Sequence, residues 1–208
     1  MPYWVGITGG SASGKTFLLR ALQEALPENF VTFLSTDHYY KDRHLIPPDP
    51  DGRVNFDTPS AIDSEKLYQD LLALRRGETV CQREYTFNNP LLTPRLLEFR
   101  PTPILVAEGL FLFHWAPIRE LFDLRVFMEA PEPYRFIKRL ERDARERGYE
   151  REYVIQQYLT QVLPAYEQFV APLRRYAHIV IQNHYGDLSP AIELLVNHLS
   201  IFAKRAIL

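Results

Sequence analysis

"GITGGSASGKT", residues 6–16, lies between an apolar run, "YWV", and a stretch with helical spacing, "FLLRALQEAL". Its glycines let the backbone curl until successive N–H groups point inward, and the helix that follows offers its positive end to the same anion. The spacing Gly9-x-x-x-x-Gly14-Lys15-Thr16 is that of a phosphate-binding loop, or P-loop. Gly9, Gly10, Ser11, Ala12, Ser13 and Gly14 form the candidate cradle. Lys15 is suited to the outer phosphates, and the Thr16 hydroxyl to Mg²⁺.

Outward from this loop, short apolar runs alternate with helical patterns. Strands are expected at 3–8, 31–35, 104–109, 124–130 and 178–183. Helices are expected at 17–26, at 60–77 with Ser60 as N-cap and Gly77 as C-cap, after Pro131, and from Ser189-Pro190 onward. Residues 41–58 hold Pro47, Pro48, Pro50 and Gly52 and read as loop. "ETVCQREYTF" and "RLLEFR" flank "NNPLLTP" as a hairpin-like excursion. The alternation predicts an α/β fold with a mostly parallel sheet, whose ligands gather at the carboxyl ends of the strands. That rule brings residues 9–16, Ser35–Asp37 and Glu108–Gly109 to one rim.

The chain has 208 residues, 46% hydrophobic and 24% charged, enough for a single substantial domain over 1–208. A formal net charge of −2 gives no global field to gather nucleic acid or a membrane surface. One cysteine, Cys81, excludes an internal disulfide framework, and no apolar run is long enough to span a bilayer. The start "MPYWVGITGG" reads as a first strand rather than a leader, so the cytoplasm is the expected compartment. No base-reading Asn-Lys-x-Asp accompanies the P-loop, which argues against a GTPase.

The acceptor side is read from carboxylates. Asp37, just past the second strand, can take a proton from an attacking hydroxyl and also face a metal. Glu108 ends "ILVAEG" and can serve Mg²⁺, which prefers oxygen ligands. Asp57 can hold a diol, while Asp63 is expected in the first turn of the helix after Ser60. In "YRFIKRLERDARERG" (134–148), helical winding puts Arg135, Lys138, Arg139, Arg142 and Arg145 on one side. Phe136, Ile137, Leu140 and Ala144 fall opposite, so one face is expected to pack and the other to present charge. Arg147 does not lie on the basic face, and reaches phosphate only if the helix ends near Gly148. Tyr153, Tyr158, Tyr166 and Phe169 are expected in the core.

"GITGGSASGKT", "STDHYYKD", "NFDTPSAID", "LVAEGL", "RFIKRLERDARERG" and "QYLTQVLPAYEQFVAPLRRYAHIVI" occur in the order and spacing of the uridine–cytidine kinases. These belong to the phosphoribulokinase/uridine kinase group of P-loop kinases, which the chain resembles over nearly its full length. The resemblance implies a central parallel sheet flanked by helices, a β-hairpin excursion at about 79–100 and an arginine-bearing helical lid at about 134–149. It implies ATP and Mg²⁺, a small-molecule acceptor that is a pyrimidine nucleoside, no nucleic-acid or membrane partner, and a homo-oligomer; the readings left open beside it are another hydroxyl acceptor (nicotinamide riboside, pantothenate or a sugar phosphate) and a non-catalytic nucleotide-binding regulator. By the same resemblance Thr16, Asp37 and Glu108 surround the metal, and Asp37 is the base for the 5′-hydroxyl. Asp57 and Arg139 bind the sugar, and Arg142 and Arg147 reach the phosphates with Lys15. Tyr40, Tyr85, Phe87 and Gln157 face the acceptor; Asp187 is a weaker candidate near the ATP base or sugar. The sequence departs from the family at three places: Thr86 replaces the hairpin's Asp, Pro90 its base-reading His, and Tyr149 an arginine of the lid. Asn88, Asn89 and Tyr149 are candidate replacements, since asparagine offers both donor and acceptor.

Overall fold

A computed structural model describes residues 2–48, 52, 54–87, 92–184 and 187–205. Five parallel strands form the sheet: β1 (Tyr3–Gly9), β2 (Val31–Ser35), β5 (Ile104–Glu108), β6 (Leu124–Glu129) and β7 (Ile179–Gln182), in the order β2-β5-β1-β6-β7. β3 (Val80–Arg83) and β4 (Leu96–Phe99) pair antiparallel as a separate hairpin. The helices are α1 (Lys15–Ala25), α2 (Ser64–Arg75), the short α3 (Ala116–Arg119), α4 (Glu132–Arg147), α5 (Arg151–Gln157), α6 (Leu163–Ala165) and α7 (Ser189–Arg205). Wide π turns at Tyr158–Val162 and Tyr166–Val170 flank α6 and carry the chain from α5 into a 3₁₀ segment, Ala171–Tyr176. No described helix is long and apolar enough to cross a membrane.

The strands are apolar on both sides because both faces of the sheet are covered. Successive side chains of β5 go to opposite layers. Ile104 and Val106 pack with Leu18 and Leu22 of α1 and Leu195 and Leu199 of α7. Leu105 and Ala107 pack with Leu67, Leu71 and Leu74 of α2 and with Phe111 and Phe113. The same alternation turns Glu108, the last residue of β5, to the α1 side, toward the phosphate loop. Strand ends are tied in register: Thr8 Oγ donates to the carbonyls of Gly109 and Leu110, each at 2.8 Å, and the Gly109 N–H donates to Ile7 O at 3.0 Å.

The expected boundaries hold to within two residues, with one larger correction. The helix expected at 60–77 begins at Ser64, and its N-cap is Asp63, whose carboxylate accepts the Lys66 N–H at 3.0 Å. Pro59–Ala61 is instead a 3₁₀ turn, because Ile62 is buried and bridges to Tyr40 in extended conformation. Gly77 follows the helix with φ +85°, as its place after the last turn requires.

Candidate active site

The loop after β1 lies tightly against the ends of β6 and β7. A Cβ on Gly9 would come within 2.3 Å of Met128 O, and one on Gly14 within 2.6 Å of Asn183 Nδ2. Gly14 (φ +102°) and Ala12 (φ +61°) take left-handed conformations that turn the loop into α1. Lys15 is buried, and its ammonium donates to the carbonyls of Gly9 and Gly10 at 3.0 and 2.9 Å. Asn183, at the end of β7, donates to Ser13 O at 3.0 Å, while the buried Ser13 hydroxyl has no partner. A curled backbone with an orphaned hydroxyl and a cation folded into it fits a polyphosphate.

Two further strand ends bring the carboxylates. Asp37 lies in the 3₁₀ turn Thr36–Tyr39 after β2. Ser35 joins it to Glu108: the Ser35 hydroxyl donates to Glu108 Oε1 at 2.7 Å and accepts the Asp37 N–H at 3.3 Å. Burial, and then the charge of Asp37, push the Glu108 carboxyl up to about 7, against the pull of Lys15 and the Ser35 hydrogen bond. Burial also lowers the Lys15 ammonium, while Glu108 and Asp37 draw it back up. Two carboxylates on neighbouring strand ends, opening into the same cavity as the Thr16 hydroxyl, fit a hard dication. Among the described residues no group of three or more His, Cys, Asp or Glu side chains offers a separate metal site.

These segments open into one cavity of about 460 Å³. Ser11, Ala12, Gly14, Lys15 and Thr16 line its phosphate side, Asp37 and Glu108 its middle. Asp57, Tyr40, Tyr85, Phe87, Arg139 and Gln157 line the far side, and Arg142 and Arg147 reach in from α4. Asp57 is placed by the Asn55 side chain, which accepts its N–H at 2.8 Å, and pairs with Arg139 at 3.3 Å. Arg139 also donates to Ser11 Oγ at 3.0 Å and to Gln157 Oε1 at 3.2 Å, so one guanidinium joins the phosphate loop to the far wall. The wall is aromatic: ring centroids are 5.1 Å apart for Tyr40–Tyr85 and for Tyr85–Phe87. The Tyr85 N–H donates to His38 Nδ1 at 3.3 Å, tying the hairpin to the Asp37 turn. Among the described residues, the acceptor-side candidates Tyr40, Asp57, Tyr85, Phe87, Arg139 and Gln157 thus meet in this cavity, and so does Tyr149. Asn88, Asn89 and Pro90 lie outside the described residues. Asp187 does not line the cavity; it is exposed and accepts the Ser189 N–H at 3.0 Å at the head of α7.

The lid helix corrects one expectation. Part of its basic face packs: Arg135 and Arg139 are 2% and 5% exposed, while Lys138 and Arg145 stay exposed, and Ile137, expected on the packed face, is 51% exposed. Arg135 stacks on Tyr166 at 3.7 Å and donates to Ala130 O, and Arg139 enters the interior paired with Asp57 and the fully buried Asp143. Arg147 is displaced round an ideal helix from the other cations, yet it points to the same side because Asp143 lies between them. α4 does end there, at Gly148 with φ +68°. Tyr158 is buried and Tyr166 and Phe169 pack on the core, but Tyr153 is exposed. The sequence reading missed Phe56, Tyr134, Lys138, Phe17 and Leu188 as lining residues. For Phe56 the signal was its place beside Asp57; Phe17, 57% exposed on an otherwise buried apolar run, carried none.

A loop that only hydrolysed nucleotide would need no recess beside it. Here the phosphate cradle opens directly onto a second, aromatic and carboxylate-bearing wall, which defines a P-loop kinase acting on a small molecule. The chain belongs to the phosphoribulokinase/uridine kinase family, whose model matches residues 4–187. It is 39% identical over 194 residues to the uridine kinase of Deinococcus deserti and 35% identical over 195 residues to that of Alkaliphilus metalliredigens. The first match covers 93% of each chain, the second 94% of this chain and 93% of the relative. In fold it is similar to phosphoribulokinase from Rhodobacter spheroides (TM-score 0.64, 17% identity, 87% of this chain and 70% of that one). It is also similar to shikimate kinase from Acinetobacter baumannii (TM-score 0.51, 16% identity, 96% and 93%).

Proposed function

We propose that the chain transfers the γ-phosphoryl group of ATP to the 5′-hydroxyl of a pyrimidine nucleoside, uridine or cytidine. The observation that carries this reading is the single cavity in which the phosphate loop and Asp37 face Asp57 and an aromatic wall. Relatives that match nearly end to end are uridine kinases. Asp57 and Arg139 hold the ribose hydroxyls, and Gln157 supports Arg139. Tyr40, Tyr85 and Phe87 flank the base, whose flat face suits aromatic rings. Asp37 orients the 5′-hydroxyl and accepts its proton as the oxygen attacks phosphorus. Lys15, Arg142 and Arg147 balance negative charge on the transferring group, and α4 keeps water away from it. Thr16, Asp37 and Glu108 would hold Mg²⁺, which when bound neutralises phosphate charge.

A second reading keeps the chemistry and changes the acceptor to nicotinamide riboside, pantothenate or a sugar phosphate. Tyr149, which lines the cavity in place of the family's arginine, favours it. The test is ADP release with MgATP and one acceptor at a time: uridine, cytidine, a purine nucleoside, nicotinamide riboside, pantothenate and ribulose 5-phosphate. Turnover is expected with uridine or cytidine; silence with both and turnover elsewhere would sink the pyrimidine assignment. Asp37→Asn is expected to lower kcat on the order of 10²- to 10⁴-fold with ATP binding kept. Unchanged ADP release would remove Asp37 from its role.

A further inference from the structure

Asp143 is fully buried in α4, and three guanidiniums converge on its carboxylate. Arg142 donates from Nε to Oδ1 at 2.8 Å and brings Nη2 to the same oxygen at 2.8 Å. Arg147 Nη1 lies 3.2 Å from Oδ1. Arg139 Nε lies 3.2 Å from Oδ2, an ion pair too poorly aligned to count as a hydrogen bond. Those three arginines all line the cavity, whereas Asp143 does not. Two of them have a second engagement. Arg139 meets Asp57, Gln157 and Ser11, and Arg147 lies 4.1 Å over the Phe87 ring. Three guanidiniums against two carboxylates leave the cluster cationic. A side chain that touches all three cations and no open space is placed to set where they point.

We propose that Asp143 is a positioning residue for phosphoryl transfer: its buried carboxylate fixes Arg139, Arg142 and Arg147 as one unit, with two guanidiniums toward the transferring group and one toward the acceptor. This rests on the kinase reading but not on which acceptor is used. Arginines free to spread by mutual repulsion would still bind phosphate, since the loop of residues 9–16 does that. They would lose the preorganised arrangement that favours the transition state over the ground state. Sequence carries the signal in hindsight: one acidic residue stands four positions after Arg139 and four before Arg147, on the face those arginines share.

The test uses full-length protein and two variants, Asp143→Asn and Asp143→Glu, each checked for folding by circular dichroism melting and for ATP-binding stoichiometry. The first readout needs no acceptor: the ratio of affinities for MgADP with aluminium fluoride and for MgADP alone. That ratio is expected to fall on the order of 10²-fold in Asp143→Asn, with the MgADP affinity changed less than about threefold. An equal ratio in wild type and variant would overturn the proposal. The second readout is a double-mutant cycle on kcat, with the acceptor the wild type turns over. Asp143→Asn combined with Arg147→Ala is expected to be about as slow as the slower single variant, because both remove the same unit. Effects that multiply would overturn it, since a merely structural loss at Asp143 is independent of Arg147. Should Asp143→Asn fail to fold, Asp143→Glu keeps the charge but displaces it by one methylene, and the same ratio and cycle decide. A wild type silent with every acceptor would refute the acceptor assignment and leave the aluminium fluoride ratio to judge Asp143.

Discussion

Glu108 and Asp37 face each other across the ends of two neighbouring strands, and the cost of that approach falls on Glu108. Its carboxyl titrates near 7 in the folded chain, against 4.5 for an ordinary glutamate, because burial and the charge of Asp37 both oppose ionisation. The folded state therefore holds more protons than the unfolded state between those values. Stability from this group is full below about 4.5 and is lost as pH rises through about 7. Glu108→Gln removes the titration. In ligand-free protein, the melting temperature of the variant relative to wild type is expected to rise across that window and to level off above it. Mg²⁺ at pH 7.5 is expected to raise the wild-type melting temperature and to leave Glu108→Gln unmoved. Parallel melting curves from pH 4.5 to 7.5 would show that Glu108 does not carry this charge conflict.

The element that places Asp37 is the turn after β2, and its position depends on a neighbour that lacks a side chain. Gly109, the residue after β5, leaves room for Thr36: a Cβ there would lie 1.7 Å from Thr36 Oγ1 and 2.8 Å from Thr36 Cβ. Gly109→Ala is thus expected to push the Thr36–Tyr39 turn outward and to lower kcat at least about tenfold, with the KM for MgATP changed little, since the loop after β1 is untouched. Gly77→Ala is the control: φ is +85° but nothing lies within 4 Å, so it costs only about 1 kcal/mol of stability and no kcat. Equal kcat in the two variants would refute the steric argument. At this scale the sequence was legible wherever an element announces itself by its own pattern. β1, β2, β5, β6 and β7 are apolar runs, and the Gly9–Thr16 loop has a spacing that geometry demands. It was not legible where a partner from elsewhere decides. The N-cap of α2 moved from Ser60 to Asp63 because Tyr40, twenty-odd positions upstream, holds Ile62 extended. Arg135 and Arg139 of α4 turned inward because Tyr166 and Asp143 wait there, and a reading that sends charge to solvent cannot anticipate a buried counterion.

For the whole molecule, one sheet serves two cores. Leu22 packs from α1 onto one face and Leu71 from α2 onto the other, both fully buried. Because β1, β5 and β6 contribute side chains to both layers, neither core can melt while the sheet survives. Leu22→Ala and Leu71→Ala are each expected to cost about 2–5 kcal/mol and to shift one common urea transition rather than split it. The same sheet carries the site at the carboxyl ends of β1, β2 and β5, so ligand binding stabilises the whole chain by mass action. MgATP at a hundred times its Kd adds about 2.7 kcal/mol to the unfolding free energy. That increment is expected to persist in Leu71→Ala, whose packing lies on the far face, and to vanish in Lys15→Ala at the same MgATP concentration, because the buried ammonium beside Gly9 and Gly10 is gone. Two resolved transitions, or a MgATP shift lost in Leu71→Ala but kept in Lys15→Ala, would separate the site from the sheet that positions it.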